Sequence, residues 1–265
     1  MISGFLLVNK EPGITSSKVV HIIKKQFNLS RVGHLGTLDP MASGLLIIAI
    51  NRATKFASLL LQSEKSYRAE VTLGIQTDTD DAEGEVISCK DVNIDDLKAK
   101  ETLLSFLGES DQFAPNYSAL KHKGRPLYKY ARDGIKIEKA ARKIFIKNIN
   151  NILIEMPKVS FDINCSKGTY IRSIARDLGL KLGCGASLSK LVRTSQDKFL
   201  LSDAFSIDEL SLKNLISLEN AFKDLEFIQL NEKDSRAFLH GRPIETSLNH
   251  ENLLRVYDAS NQFIA

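Results

Sequence analysis

The spacing of apolar and polar positions changes several times along this 265-residue chain, and each change marks an element. "GFLLVNKEPG", residues 4 to 13, is a short apolar run closed by a Pro-Gly turn, which predicts a strand. Thr15 or Ser16 then caps a helix on which Val19, Val20, Ile22, Ile23 and Phe27 share a face. A loop over 31–44 leads into "LLIIAI" at 45–50, a buried strand, and "TKFASLLLQSE" reads as a short helix. In "SYRAEVTLGI" the alternation of Tyr67, Ala69, Val71 and Leu73 predicts a half-buried strand. Further along, 95–107 is helical, 152–165 holds one or two strands, and "GTYIRSIARDLGLKLG" is a helix with Ile171, Ile174, Ala175, Leu178 and Leu182 inward. "SLKNLISLENAFKDLEFIQL" at 211–230 reads as helix and "RVYDASNQFIA" as a final strand. The mixture predicts an α+β fold around a sheet.

Composition narrows the class. With 43% hydrophobic residues the chain can bury a sizeable core, as one large domain or one with a small appendage. The longest apolar run is far short of the roughly 20 residues of a membrane span, and the N-terminus lacks the layout of a signal peptide, so the expectation is a cytoplasmic protein without membrane contact. Cys89, Cys165 and Cys184 form no C-x-x-C pair, which argues for reduced thiols and offers zinc no evident site.

Charge is unevenly placed. Residues 121–147 hold ten Lys or Arg against Asp133 and Glu138, while the whole chain carries only +4. With Tyr128 and Tyr130 interleaved, this arm fits either a footprint for nucleic-acid phosphates or a helix face kept soluble by lysines.

Three segments carry candidate chemistry. "DTDDAEGEV" from Asp78 has the look of a calcium loop, but the obligatory glycine is Glu83 and the bidentate Glu at position twelve is Cys89, so it reads as an acidic turn. In "CSKGTYIRS" a helix begins near Thr169 and puts Arg172 in its first turn, where the helix dipole disfavours a cation. Either a buried carboxylate offsets this or the arginine is a tolerated surface residue. The third segment, "RVGHLGTLDPMASGLL" at 31–46, holds three glycines, Pro40, His34 and Asp39 before the apolar strand. A tight loop explains the glycines and the proline but leaves Asp39 without a role.

The segment "GHLGTLDPMASGLL" resembles the G-H-x-G-T/A-L-D-P-x-A-x-G-x-L signature of bacterial tRNA pseudouridine-55 synthases, the TruB type. Four more blocks are similar to that family in the same order: "GFLLVNKEPGITSSKVV", "ATKFASLLLQSEKSYRAEVTLGIQTDTDDAEG", "NYSALKHKGRPLYKYARDG" and "GTYIRSIARDLG", spanning together about residues 3 to 194. The resemblance implies a catalytic domain over 1–230 with a mixed, mostly antiparallel sheet flanked by helices. An RNA-gripping insertion would occupy about 112–147, and a partial PUA-like segment 231–265. The stretch "FLHGRPIETSLNHENLLRVYDASNQFIA" resembles only the opening of a PUA domain, so that domain is either reduced or continued in a longer chain. Where the family commonly has Pro-Pro before its Tyr-Ser-Ala-Leu-Lys block, this chain has Ala114-Pro115-Asn116.

By the same resemblance Asp39 is the catalytic aspartate, Tyr67 the tyrosine that stacks on the target uracil and Arg172 the arginine paired with the aspartate. His34 fills the gap left by the flipped base. Tyr170 and Leu191 line the uridine pocket, Lys10 falls in a motif near it, and Lys121 and Arg125 belong to the gripping arm. The implied reaction turns uridine 55 of the tRNA T-loop into pseudouridine by breaking the N1–C1′ bond and joining C5 to C1′. No atoms are gained or lost, so no metal or other cofactor is expected. The aspartate acts either by covalent attack on the sugar or by removing its 2′ proton to give a glycal, and glycines around the loop let the backbone approach the nucleotide. The implied partner is the T-arm of tRNA, for a monomer with no protein partner. The competing reading is a protein that binds or refolds tRNA without turnover.

Overall fold

The structure is a computed structural model describing residues 2–135, 137–244 and 253–264. Strand β1 (Gly4–Lys10) ends in the expected Pro12-Gly13 turn, and helix α1 (Ser16–Gln26) follows. Thr15 is its cap, the hydroxyl accepting from the Lys18 N–H at 3.1 Å. Residues 31–44 are not all loop. They include a short strand, β2 (Val32–His34), which pairs antiparallel with β3 (Ser43–Ile50). After the short helix α2 (Ala57–Leu61) comes β4 (Lys65–Leu73), with Tyr67, Ala69, Val71 and Leu73 all buried, as the alternation predicts.

The hairpin β5 (Ile75–Thr77) and β6 (Val86–Cys89) closes around the acidic turn, which is braced locally by Asp78 and by one oxygen of Asp81. Asp81 Oδ1 accepts from Thr79 Oγ1 at 2.7 Å and from the Glu83 N–H at 3.1 Å, and Asp78 Oδ1 accepts from the Glu85 N–H at 2.8 Å. Helix α3 (Asp96–Leu104) and strand β7 (Gly108–Gln112) lead to the arm, which holds a small hairpin of β8 (Lys121–His122) and β9 (Arg125–Pro126) and then α4 (Leu127–Arg132). Strands β10 (Arg142–Glu155) and β11 (Lys158–Cys165), helix α5 (Ile171–Leu182) and strand β12 (Ala186–Gln196) complete the main frame. Two short strands, β13 (Phe199–Leu200) and β14 (Ile216–Ser217), finish it.

Among the described residues these form a ten-stranded sheet in the order β14-β1-β3-β12-β4-β11-β10-β7, with β13 beside β12 and β2 beside β3. Only the β12–β3 contact is parallel among its described pairings, so the sheet is mixed and mostly antiparallel. One face buries Leu46, Ile48 and Tyr67 under α1, α3 and α5; the other buries Phe5, Leu45 and Ile47 against Phe199 and Phe222. Strand β3 is covered on both faces, which is why residues 45–50 are apolar without interruption. Each large side chain there contributes about 1.5–3 kcal/mol of burial. Among the described residues no helix is long and apolar enough to cross a membrane.

Two further expectations change. The single helix predicted over 211–230 is instead a 3-10 turn, β14, the one-turn helix α6 (Leu218–Ala221) and strand β15 (Phe227–Gln229). Leu215 packs on one face of the sheet, whereas Ile216, Leu218 and Phe222 pack on the other, a division that one apolar helical stripe cannot make. The basic arm is also shorter than 112–147. It leaves the sheet after Gln112 and returns at Arg142, which pairs with Gln112 across β7 and β10, so 142–147 are sheet residues. Beyond the main sheet, helix α7 (Glu232–Leu239) precedes β16 (Arg255–Tyr257), which pairs parallel with β15 and matches part of the predicted final strand. Residues 245–252 of the PUA-like stretch lie outside the described residues.

Candidate active site

Asp39 stands on a loop fixed from both sides. The Leu38 N–H donates to Ser16 Oγ at 2.9 Å, and that hydroxyl donates to the Leu38 carbonyl at 3.0 Å. On the other side, the Pro40 carbonyl accepts from the Gly13 N–H at 2.8 Å and from Lys10 Nζ at 3.2 Å. Lys10 is fully buried and also donates to the Glu11 and Ile14 carbonyls. Burial brings its amine down to about 8. Lys10 and Ser16 therefore hold the loop that carries Asp39. Ser16→Ala should leave both Leu38 groups unpaired, at a cost of about 1–3 kcal/mol; thermal unfolding beside wild type checks this, and an unchanged melting temperature would refute it.

Arg172 comes to the loop from the first turn of α5, as its position predicts, and is 4% exposed. Its Nε lies 2.8 Å from Asp39 Oδ2, and Nη1 lies 3.5 Å from Asp81 Oδ2. Nη1 also donates to the Thr79 carbonyl at 2.9 Å and Nη2 to the Tyr117 carbonyl at 2.8 Å. One planar fork thus joins the Asp39 loop, the acidic turn and the base of the arm. The start of α5 is held in turn by the buried Gln112, whose side chain accepts from the Tyr170 N–H at 2.8 Å and donates to its carbonyl at 3.1 Å.

Around the ion pair lies a cleft of about 240 Å³. Tyr67, Tyr170, Leu191, Lys65, Ser118 and Arg193 line it together with Asp39 and Arg172. A second cleft, about 330 Å³, opens on the far side between Tyr117, Tyr128 and Arg132, and since Asp39 and Arg172 line both, the pair is the wall between them. Burial pushes the Tyr67 phenol up to about 12, against the pull of the neighbouring Arg193, so it is neutral at ordinary pH. Five of the nine expected residues therefore converge here. His34 does not line the cleft: it sits on β2, its imidazole held below the ordinary range by burial and then by Arg193.

The site is thus a half-open carboxylate, a buried guanidinium on it and a tyrosine-walled cleft. The model of the TruB family pseudouridylate synthase N-terminal domain matches residues 24–171, and that of the pseudouridine synthase II TruB C-terminal domain matches 227–264. The chain belongs to the TruB family of pseudouridylate synthases. It is 42% identical to the tRNA pseudouridine synthase B of Clostridium kluyveri over 272 residues, covering 99% of this chain and 94% of that one. The corresponding protein of Thiobacillus denitrificans is 39% identical over 270 residues, covering 99% and 91%. Among solved structures, a chain of a Cbf5-Nop10-Gar1 complex superimposes with a TM-score of 0.73 at 26% identity, covering 99% of this chain and 77% of that one.

Within this family frame the arm differs in detail from the sequence reading. Lys123 and Gly124 take φ of +48° and +79°, the positive pair that a two-residue hairpin turn requires. Lys121 is exposed, but Arg125 is paired with Asp133 and lies over the Tyr130 ring at 4.7 Å, while Arg132 lies over Tyr128 at 5.5 Å. Both tyrosine rings thus already carry an arginine of the arm. Lys139 braces the Ala114-Pro115-Asn116 segment, donating to the Ala114 carbonyl at 2.7 Å and to Asn116 Oδ1 at 2.6 Å. Of the loop glycines, Gly44, at φ +97°, is needed because a Cβ there would lie 2.4 Å from the Arg193 carbonyl oxygen, so it serves the β3–β12 contact, whereas Gly36 lines the cleft.

Asp81 and Arg193 were not expected in the site. Asp81 belongs to the acidic turn, whose register argues against a calcium loop without saying where the turn packs. Arg193 lies on β12, and two residues before it Leu191 was the only position there with an expected role.

Proposed function

We propose that this chain converts uridine to pseudouridine in tRNA, at position 55 of the T-loop, with Asp39 as the group that acts on the sugar. The observation that carries the reading is the Asp39–Arg172 pair at 2.8 Å in the wall of a cleft that also presents Tyr67, Tyr170 and Leu191. Asp39 keeps about a third of its side chain open while its partner is buried, so the carboxylate can reach a sugar carbon without leaving its cation. A base swung out of its stack costs a few kcal/mol unless protein surface replaces the lost contacts, which Tyr67 and Leu191 can do. RNA is read through folded shape and splayed bases, which suits a loop gripped by a cationic arm of seven Lys or Arg and two acids over 113–141.

The relatives' name, tRNA pseudouridine synthase B, supports turnover over binding alone. The test is incubation with an unmodified tRNA transcript tritiated at uridine C5. Bonding C5 to C1′ displaces that hydrogen, so tritium should appear in water, and a transcript with cytidine at position 55 should release none. Tight binding without release would favour the RNA-folding reading.

A further inference from the structure

Arg193 is a second arginine of the cleft that the ion pair leaves unexplained. It is fully buried, and two of its donors are engaged, Nε on the Leu45 carbonyl at 2.7 Å and Nη2 on the Gly36 carbonyl at 3.0 Å. Nη1 has no acceptor at good hydrogen-bond geometry, the Tyr67 phenol beside it being its one side-chain partner, and among the described residues no carboxylate lies within ion-pair distance. A charge buried without a counter-ion costs several kcal/mol, and burial holds this guanidinium below its ordinary range.

Holding two carbonyls does not require a charge. Three residues on, the buried Gln196 does so with a neutral amide, donating to the Leu35 carbonyl at 2.8 Å and the Leu60 carbonyl at 3.1 Å. The groups around Arg193 supply no balancing anion either. Tyr67 is a neutral phenol, and Lys65 is another amine, brought down to about 8 by burial and then by Arg193 itself. Asp39 and Asp81 are both turned to Arg172. The floor of the cleft therefore carries a positive charge with no carboxylate of its own among the described residues, the two nearby carboxylates being shared on Arg172.

The reaction supplies the missing anion, and this inference rests on the function proposed above. When N1–C1′ breaks, the electron pair stays on N1 and uracil leaves as an anion. C1′ is either bonded by an Asp39 oxygen or becomes part of a glycal after Asp39 accepts the 2′ proton. On both routes the negative charge moves from Asp39 to the base. After the ring turns, C5 gives an electron pair to C1′; the Asp39 bond breaks, or the 2′ proton returns, and Asp39 is an anion again. C5 then loses its proton and N1 gains one. We propose that Arg193 is the counter-charge for the detached uracil, taking in the cleft the anion that Arg172 held as Asp39. Fixed donors aimed at charge that develops during reaction are each worth about 10²–10³-fold in rate.

The test is Arg193→Gln, which substitutes the neutral amide that already serves at Gln196, with Arg193→Lys beside it. Each is measured in single turnover on tRNA bearing uridine or 5-fluorouridine at the target, by loss of the starting nucleoside after digestion. Fluorine stabilises the departing anion, so a variant lacking the counter-charge should recover on that substrate. Arg193→Gln should bind tRNA within about tenfold of wild type and react about 10²-fold more slowly on uridine, with the deficit at least several-fold smaller on 5-fluorouridine. Arg193→Lys should lie between. Equal deficits on both substrates would make Arg193 a structural peg, and wild-type rates would remove it from the reaction; either overturns the proposal. If Arg193→Gln does not fold, Arg193→Lys decides by the same two-substrate comparison. Absence of tritium release by wild type would instead overturn the function itself.

Discussion

Asp39→Asn should end turnover while leaving a folded protein that still holds tRNA. The amide keeps the shape of the carboxylate, and its oxygen can still face Arg172 Nε, 2.8 Å from the present Oδ2. Arg172 is not stranded by the change, because Asp81 remains 3.5 Å from Nη1 and two backbone carbonyls still accept from the fork. What disappears is the anion that attacks C1′ or takes the 2′ proton. Tritium release should fall by more than about 10³-fold, a loss of roughly 4 kcal/mol of transition-state stabilisation, while the dissociation constant for tRNA changes by less than about tenfold, or 1.4 kcal/mol. Single-turnover release, filter binding and thermal unfolding of the same preparation check the three parts. Wild-type release from a normally folded variant would reduce Asp39 to a loop residue and remove the mechanism.

The second large effect concerns stability. Arg172→Met should destabilise the protein by about 3–5 kcal/mol, because removing one partner of a buried pair leaves the other charges uncompensated. Here those are the buried Asp81 and the half-open Asp39, together with the carbonyls of Thr79 and Tyr117. At a few °C per kcal/mol for a chain of this size, the melting temperature should fall by about 6–20 °C. Arg172→Lys should lose less, since a point charge still faces both carboxylates but cannot reproduce the fork that ties three segments. Its turnover should fall between wild type and Asp39→Asn. A melting curve of Arg172→Met that overlays wild type would mean that these segments are held together by other contacts.

The sequence by itself determined the elements whose pattern is local. The alternation of Tyr67 to Leu73, the helical stripe of Ile171 to Leu182 and the unbroken apolar run at 45–50 each became the expected strand or helix. Part of the site was legible in the same way. An arginine in the first turn of a helix calls for a carboxylate, Asp39 had no other role, and the two meet at 2.8 Å although 133 positions apart.

Only the tertiary structure decided the rest. Strand β12 has a pattern broken by register shifts at Leu188/Lys190 and Arg193/Ser195, and its buried Ser187, Arg193 and Gln196 look like surface residues in the sequence. Their burial depends on β3 and β4 arriving on either side, which no window of the chain contains. Asp81 looked like one acid among several in a turn until α5 placed Arg172 against it. Residues 211–230 carry apolar positions consistent with a helix, yet the two cores claim them from opposite faces of the sheet. Local periodicity reports which side of an element is apolar, because that is a property of neighbours along the chain. Which buried polar groups find partners is a property of neighbours in space, and at Arg193 that difference separates an ordinary surface arginine from a charge held beneath the cleft.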